Sequence, residues 1–423
     1  MKLSRSGFLA ALGAIGAVSA SRRAEAALPP WFPLPPPLKP KIGGKALVLS
    51  GAGARGAYEA GALKWLFKDV GAQGSPFDLI CGTSAGAINS AFAARATGAS
   101  IAEIGQLWLT MPQADVLQLI PQAQHAVNAG QAFNESSQHG FPRKLRYLSR
   151  ANSELKAMGP KEDLVKLLAV VNPDGINALV KKHPFTLAEM KTNLIVNATN
   201  LTRFTSDAFY HFIGPDAATR EQEFAQTAAL AGSAGRTLSP SSLRWRLTDA
   251  NLVKAVLAST AVPTLFPPVE VPVYENGGSD LYVDGGVANN TPIATAVAAG
   301  AHDVTVIIAS AANEGMEKQP DSLPGLLQGS FGVIQRELLE DDLRFALAKN
   351  LLSRYRNYAG LNAQTAAFLQ AIQSAEWQPI RLRLIRPEKP LKLTSMGFHD
   401  GPNLQAAFDQ GYTDAQKPLE FSA

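Results

Sequence analysis

The sequence predicts an α/β fold of three layers, α/β/α, around a mainly parallel central sheet, with a largely helical insertion. Three observations carry that prediction. Short apolar runs at 45–50 and 78–81 each pass through a tight glycine turn into an Ala-rich helical stretch, residues 57–70 and 87–97. Further apolar runs at 193–198 and 304–309 alternate with helical patterns at 249–260 and 333–357, as parallel strands require, because they need crossover connections. The composition agrees: 46% apolar and 17% charged residues with a single cysteine in 423 excludes disordered, collagen-like and disulfide-scaffold chains.

Residues 1–26 place Lys2 and Arg5 before a 13-residue apolar run, Phe8 to Ala20, followed by the small-x-small pattern Ala24-Glu25-Ala26. This predicts a cleaved secretory signal and an exported, periplasmic or secreted protein. An uncleaved membrane anchor is the alternative, and the run falls short of the roughly 20 residues that span a bilayer. Residues 27–43 follow as a spacer, with seven prolines between 28 and 41 that forbid a helix. One domain is expected over 44–418. Within it, 110–190 is polar, carries the basic cluster 143–150 and reads as the helical insertion, while 214–242 reads as a loop.

Three motifs could carry chemistry. Gly51-Ala52-Gly53-Ala54-Arg55-Gly56 stands between a strand and a helix, where glycines let the backbone approach a ligand and the first helical amides offer donors to an anion. A dinucleotide site would need an acid about 20 residues onward at the end of the next strand, and that strand instead runs into the second motif. Gly82-Thr83-Ser84-Ala85-Gly86 is a GxSxG at a strand-to-helix junction, the composition of a nucleophile elbow. Ser84 is the candidate nucleophile, a helix N-cap its bland alternative. Cys81 reads as core.

A serine needs a base. Six histidines are present, His302 and His399 among them, and none lies in a motif. An aspartate serves if it is hydrogen-bonded to the serine and desolvated. The third motif, Asp284-Gly285-Gly286, supplies one after the apolar run 280–283, although Asp-Gly is also a turn dipeptide.

Taken in this order, GAGARG, GTSAG and DGG resemble the patatin-like phospholipases, and so do ASTAVPTLFPPV at 258–269 and the closing stretch 395–415. The resemblance implies a serine lipid acyl hydrolase, a phospholipase A or carboxylester hydrolase. It implies Ser84 as nucleophile, Asp284 as general base and the turn Gly51, Gly53, Ala54, Arg55 and Gly56 as oxyanion hole, with amides of Gly53, Ala54 and Arg55 facing the oxyanion. Gly82 and Gly86 would frame the elbow, Gly285 and Gly286 the Asp motif, and no cofactor or metal is implied. Ala52 departs from the family's GGGxRG, which requires a backbone conformation there that alanine can adopt. Two other functions stay open: an α/β-hydrolase esterase with a Ser/Asp/His triad using His399, and a non-catalytic lipid-binding protein.

The charge balance then loses its meaning. Lys2, Arg5, Arg22 and Arg23 against Glu25 lie in the leader, so the +4 of the whole chain falls to +1 without it. No nucleic-acid partner is implied, and peripheral contact with a membrane would rest on local clusters such as 143–150.

Overall fold

The computed structural model describes residues 44–111, 119–138, 143–158, 171–233, 242–315, 332–344 and 379–421, with residues 329, 346 and 350. The predicted leader and spacer, parts of the insertion and most of 345–357 lie outside the described residues.

Ten strands of the described residues form one mixed sheet. They are β1 (Gly44–Leu49), β2 (Leu79–Thr83), β3 (Asn193–Asn200), β4 (Thr205–His211), β5 (Arg244–Arg246), β6 (Val269–Pro272), β7 (Ser279–Val283), β8 (Ala301–Ile307), β9 (Arg381–Ile385) and β10 (Leu419–Phe421). The order across the sheet is β10-β9-β8-β1-β2-β3-β4-β5, with β9, β8, β1, β2 and β3 all parallel. Their N-terminal ends share one edge, their C-terminal ends the other, and all of the chemistry below gathers at the C-terminal edge.

The helices are α1 (Gly56–Leu66), α2 (Ala85–Ala94), α3 (Gly98–Thr110), α4 (Pro121–Ser137), α5 (Arg143–Ala157), α6 (Asp174–Lys182), α7 (Ala217–Ser233), α8 (Leu252–Ser259), α9 (Ile293–Ala298) and α10 (Gly401–Asp414). Residues 332–344 are also helical. Strand alternation decides which layer each side chain meets. Leu47 and Leu49 of β1 point into the core formed with α1, α2, α3, α8 and α10, whereas Ala46 and Val48 belong to the core of the other face, with Phe224 of α7, Ile293 of α9 and Leu339 and Leu343 of the 332–344 helix. Trp108 fills the centre of the first core at 1% exposure. Truncating such a side chain to alanine typically costs about 3–5 kcal/mol.

One contact explains how the distant C-terminus joins the N-terminal motif. A Cβ at Gly61 of α1 would fall on the Phe408 carbonyl, and one at Gly411 of α10 on the Tyr58 carbonyl, so the two helices cross backbone to backbone. Tyr58 Oη closes the crossing by donating to Asp414 Oδ2 at 2.8 Å.

The loop expected over 214–242 is corrected: residues 217–233 form α7. The glycine and proline signals at its flanks hide a stretch of good helix formers. Its anchor is Phe224, packed edge-on to Tyr210 and Phe212. Strands β4, β5, β6, β9 and β10 were not among the expected elements. In the insertion, the described residues are mostly helical, with α4 and α5 joined through His125 Nδ1 and Glu154 Oε2 at 2.8 Å. No helix among the described residues is long and apolar enough to cross a membrane.

Candidate active site

Two strands meet end to end to make the site. β3 is longer than β2: Thr83, the last residue of β2, pairs with Asn197, and β3 continues three residues further. Along that continuation the place beside β3 is taken by β7, running the opposite way, with Val283 paired to Thr199. The C-terminal ends of β2 and β7 therefore face each other across Ala198, and the next residue of each is Ser84 and Asp284. Ser84 Oγ donates to Asp284 Oδ2 at 2.6 Å. Two residues 200 positions apart are brought together because each leaves the sheet at the same gap.

Ser84 adopts φ 56°, ψ −127°, a conformation that costs a non-glycine residue on the order of 1–3 kcal/mol. The fold holds it there. The Ser84 amide donates to Ser259 Oγ at 2.9 Å, and that hydroxyl donates to the Asn197 carbonyl at 2.6 Å, so α8 and β3 both grip the turn. The elbow glycines make the bend sterically possible: a Cβ at Gly82 would strike Gly86 O and Ser90 Oγ, and one at Gly86 would lie 2.5 Å from the Leu49 carbonyl oxygen. Larger residues would push β2 and α2 away from β1.

Asp284 is 3% exposed. Its Oδ1 accepts from the Gly286 amide at 2.6 Å, its own amide donates to Ala261 O at 2.8 Å, and its carbonyl accepts from Thr199 Oγ1 at 2.9 Å. Burial pushes the carboxyl up to about 7, against the opposing hydrogen bonds from Ser84 and Gly286. A carboxylate so placed is a base of useful strength near neutral pH.

Four amides of the glycine-rich turn can be followed to their acceptors. Gly51 donates to Asn290 O at 2.9 Å, Ala54 to Ser395 O at 2.7 Å, Arg55 to Ala52 O at 3.2 Å and Gly56 to Gly53 O. The expectation that Ala54 and Arg55 amides face an oxyanion is therefore corrected, since both already have acceptors within the protein. Among the described residues the Gly53 amide has no such acceptor, and neither has Ala85, the first residue of α2. Gly53 stands at φ +58°, and a Cβ on it would fall on the Ser395 carbonyl, so glycine is required there on two counts. Ala52 sits at φ −140°, ψ −14°, a negative φ that does not demand glycine, so alanine can stand there.

The turn is fixed from the C-terminal segment. Besides Ser395 O on Ala54, Arg55 Nε donates to Leu393 O at 2.7 Å and its Nη2 pairs with Glu314 Oε1 at 2.5 Å. Beneath α1, Glu59 is fully buried and its carboxyl is pushed well up by desolvation. It accepts from Asn89 Nδ2, which also donates to Gly56 O, while Trp108 Nε1 donates to Asn89 Oδ1.

The histidines stand elsewhere. His302 lies at the N-terminal end of β8, the opposite edge of the sheet. His125 and His183 face Glu154 and Glu103. His399 is in the same C-terminal loop as Ser395, but among the described residues no hydrogen bond joins it to Ser84 or Asp284, which touch directly. His139 lies outside the described residues. Cys81 is buried, and burial pushes its thiol up, as for a core residue. No group of three or more His, Cys, Asp or Glu among the described residues could hold a metal ion.

Sequence reading missed Ser259, Asn197, Asn290 and Ser395. Ser259 was within reach, because it lies in the stretch ASTAVPTLFPPV, but the carbonyl partners leave no trace in side-chain patterns.

A family model for patatin-like phospholipase matches residues 47–297, more than half of the chain. No curated protein matches the sequence. Among solved structures, VipD from Legionella pneumophila shares 13% identity at a TM-score of 0.33, the match covering 90% of this chain and 69% of VipD. Full-length ExoU, solved in complex with SpcU of the Pseudomonas aeruginosa type III secretion system, belongs to a structure matched at 17% identity and a TM-score of 0.22, covering 73% of this chain and 52% of that chain.

Proposed function

This chain belongs to the patatin-like phospholipases and is a lipid ester hydrolase, and from that premise we propose that it works through a Ser84–Asp284 dyad and an acyl-enzyme intermediate. The observation that carries the proposal is the 2.6 Å bond between Ser84 Oγ and a buried carboxyl pushed up to about 7. Asp284 takes the hydroxyl proton as Ser84 attacks the ester carbonyl, and the departing alcohol takes that proton back from Asp284. Asp284 then deprotonates a water that attacks the acyl-serine, releasing the fatty acid and restoring the Ser84 hydroxyl.

The oxyanion of each tetrahedral intermediate is held by the Gly53 and Ala85 amides, the second being the residue after the nucleophile in a strand-to-helix elbow. Each donor contributes on the order of 3 kcal/mol, about 10²–10³ in rate. Arg55 has a positioning part: its bonds to Leu393 and Glu314 hold Gly53 at the site.

The chain is proposed to act outside the cytoplasm, its leader removed after residue 26, and to meet its lipid at a membrane surface. A fluorophosphonate probe and a p-nitrophenyl acyl ester test the chemistry. The probe is expected to label Ser84 alone, and Ser84→Ala to lose both labelling and hydrolysis. Hydrolysis that survives Ser84→Ala defeats the reading.

A further inference from the structure

We infer that the β3–β4 hairpin is a stiff apolar finger that inserts into the surface of a lipid bilayer and holds the active site against it. The inference rests on the lipid-ester reading of the site and names the surface at which that site works.

The tip is Leu201–Phe204. Phe204 is 88% exposed and stands at φ +57°, a left-handed conformation unfavourable for a bulky residue, and Leu201 beside it is 37% exposed. An asparagine or glycine would relieve the backbone and hide no ring from water. Among the described residues no ring or cation contact involves Phe204, so its apolar face is open to a partner outside the fold. Of the seven large exposed apolar side chains among the described residues, these two share the tip. Two more, Val333 and Ile334, immediately precede Gln335, whose side-chain amide lies against Gly286 of the Asp284 motif.

The finger stands at the correct end. β3 carries it past Thr83 by three residues, roughly 10 Å beyond the level of the elbow. Its root is braced by buried polar groups that the chemistry does not use. Asn200 Nδ2 donates to Asp207 Oδ2 and Asp280 Oδ2, Tyr282 Oη donates to Asp207 Oδ2, and Arg203 Nε donates to Asp280 Oδ2 at 2.9 Å. The Leu201 amide donates to Leu281 O, and the Leu281 amide to Thr202 Oγ1. Such a brace lets a tip displace lipid without folding back.

Charge and size select the partner. The tip's own cation, Arg203, is paired with Asp280 and Tyr274, and the adjacent turn exposes Glu275, so the finger is not built to seek anionic groups. One ring and one leucine are far below the roughly 800 Å² per side that a stable protein interface needs, whereas an apolar side chain entering the headgroup boundary gains from its own burial alone.

The test uses the full chain with Ser84→Ala, so that vesicles stay intact, sedimented with phosphatidylcholine vesicles. Phe204→Asn is expected to weaken binding at least about tenfold, Phe204→Trp to retain it, and added salt to leave it unchanged. With Ser84 present, Phe204→Asn is expected to lower hydrolysis of the vesicles about tenfold and to leave hydrolysis of a monomeric short-chain p-nitrophenyl ester within twofold. Absence of binding by the parent, equal binding by the parent and Phe204→Asn, or equal loss on both substrates overturns the finger. An inactive parent would defeat the catalytic reading, while the sedimentation comparison would still decide for or against the finger.

Discussion

Asp280 and Asp284 belong to the same short stretch of chain, one inside β7 and the other just past its end, and both are 3% exposed. Their environments push them in opposite directions. Desolvation raises Asp280 too, but hydrogen bonds from Asn200, Tyr274 and Arg203, with the Arg203 charge, outweigh it and hold the carboxyl below the usual range. Asp284 has only Ser84 and the Gly286 amide, and desolvation wins. Burial alone does not make a base. The number of donors decides whether a buried carboxyl is a fixed anion that braces a hairpin or a proton acceptor poised near 7.

The largest expected effect breaks the comparison at the catalytic end. Asp284→Asn should lower kcat by about 10³-fold on any ester substrate, within the range of a lost general base. Asp280→Asn should keep the pH midpoint of the activity. Steady-state rates of the two variants from pH 5 to 9 check this, and a comparable loss in both would remove the distinction.

The second effect is on stability and has the opposite order. Asp280→Asn removes the charged acceptor that Asn200, Arg203 and Tyr274 share, although Asn200 keeps Asp207 and Arg203 keeps Tyr274, an expected cost of about 1–2 kcal/mol in urea unfolding at pH 7. Because the folded carboxyl is held low, that contribution is present above the unfolded value near 4 and fades as pH falls through the folded one. Asp284 works the other way. Its folded carboxyl is raised, so its burial is favourable below about 4 and becomes unfavourable as pH rises through about 7. Asp284→Asn should therefore stabilise the protein at pH 8, by on the order of 2 kcal/mol, with little gain at pH 4. Unfolding curves at the two pH values give the answer.

Glu59 sharpens the comparison with the smallest effect. Burial pushes its carboxyl well up while it accepts from Asn89, so Glu59→Gln, which keeps an acceptor for Asn89, should change stability by less than about 1 kcal/mol. A loss of several kcal/mol in urea unfolding would contradict this expectation.

Much of this was readable in the chain, and for a physical reason. Strand, glycine turn and helix are local patterns, so β1, β2 and the elbow stand out, and the three motifs with their order are enough to mark Ser84 and Asp284. What the sequence hides is carried by backbone groups and by distance. Ser259 reaches the Ser84 amide across 175 positions, and Ser395 reaches Ala54 through a carbonyl that any residue could supply. The choice of oxyanion donors among the turn's amides depends on those partners, because the Ser395 carbonyl engages the Ala54 amide. α7 was hidden by the glycines and proline around it, and β9 by the arginines that alternate with its leucines.

The claim that Asp284 is the base for Ser84 is tested most directly by the pH dependence of the rate at which a fluorophosphonate labels Ser84. A rate that rises with a midpoint near 7, collapses with its inflection in Asp284→Asn and is unchanged in His399→Ala is the predicted result. An inflection that survives Asp284→Asn and vanishes in His399→Ala would contradict it.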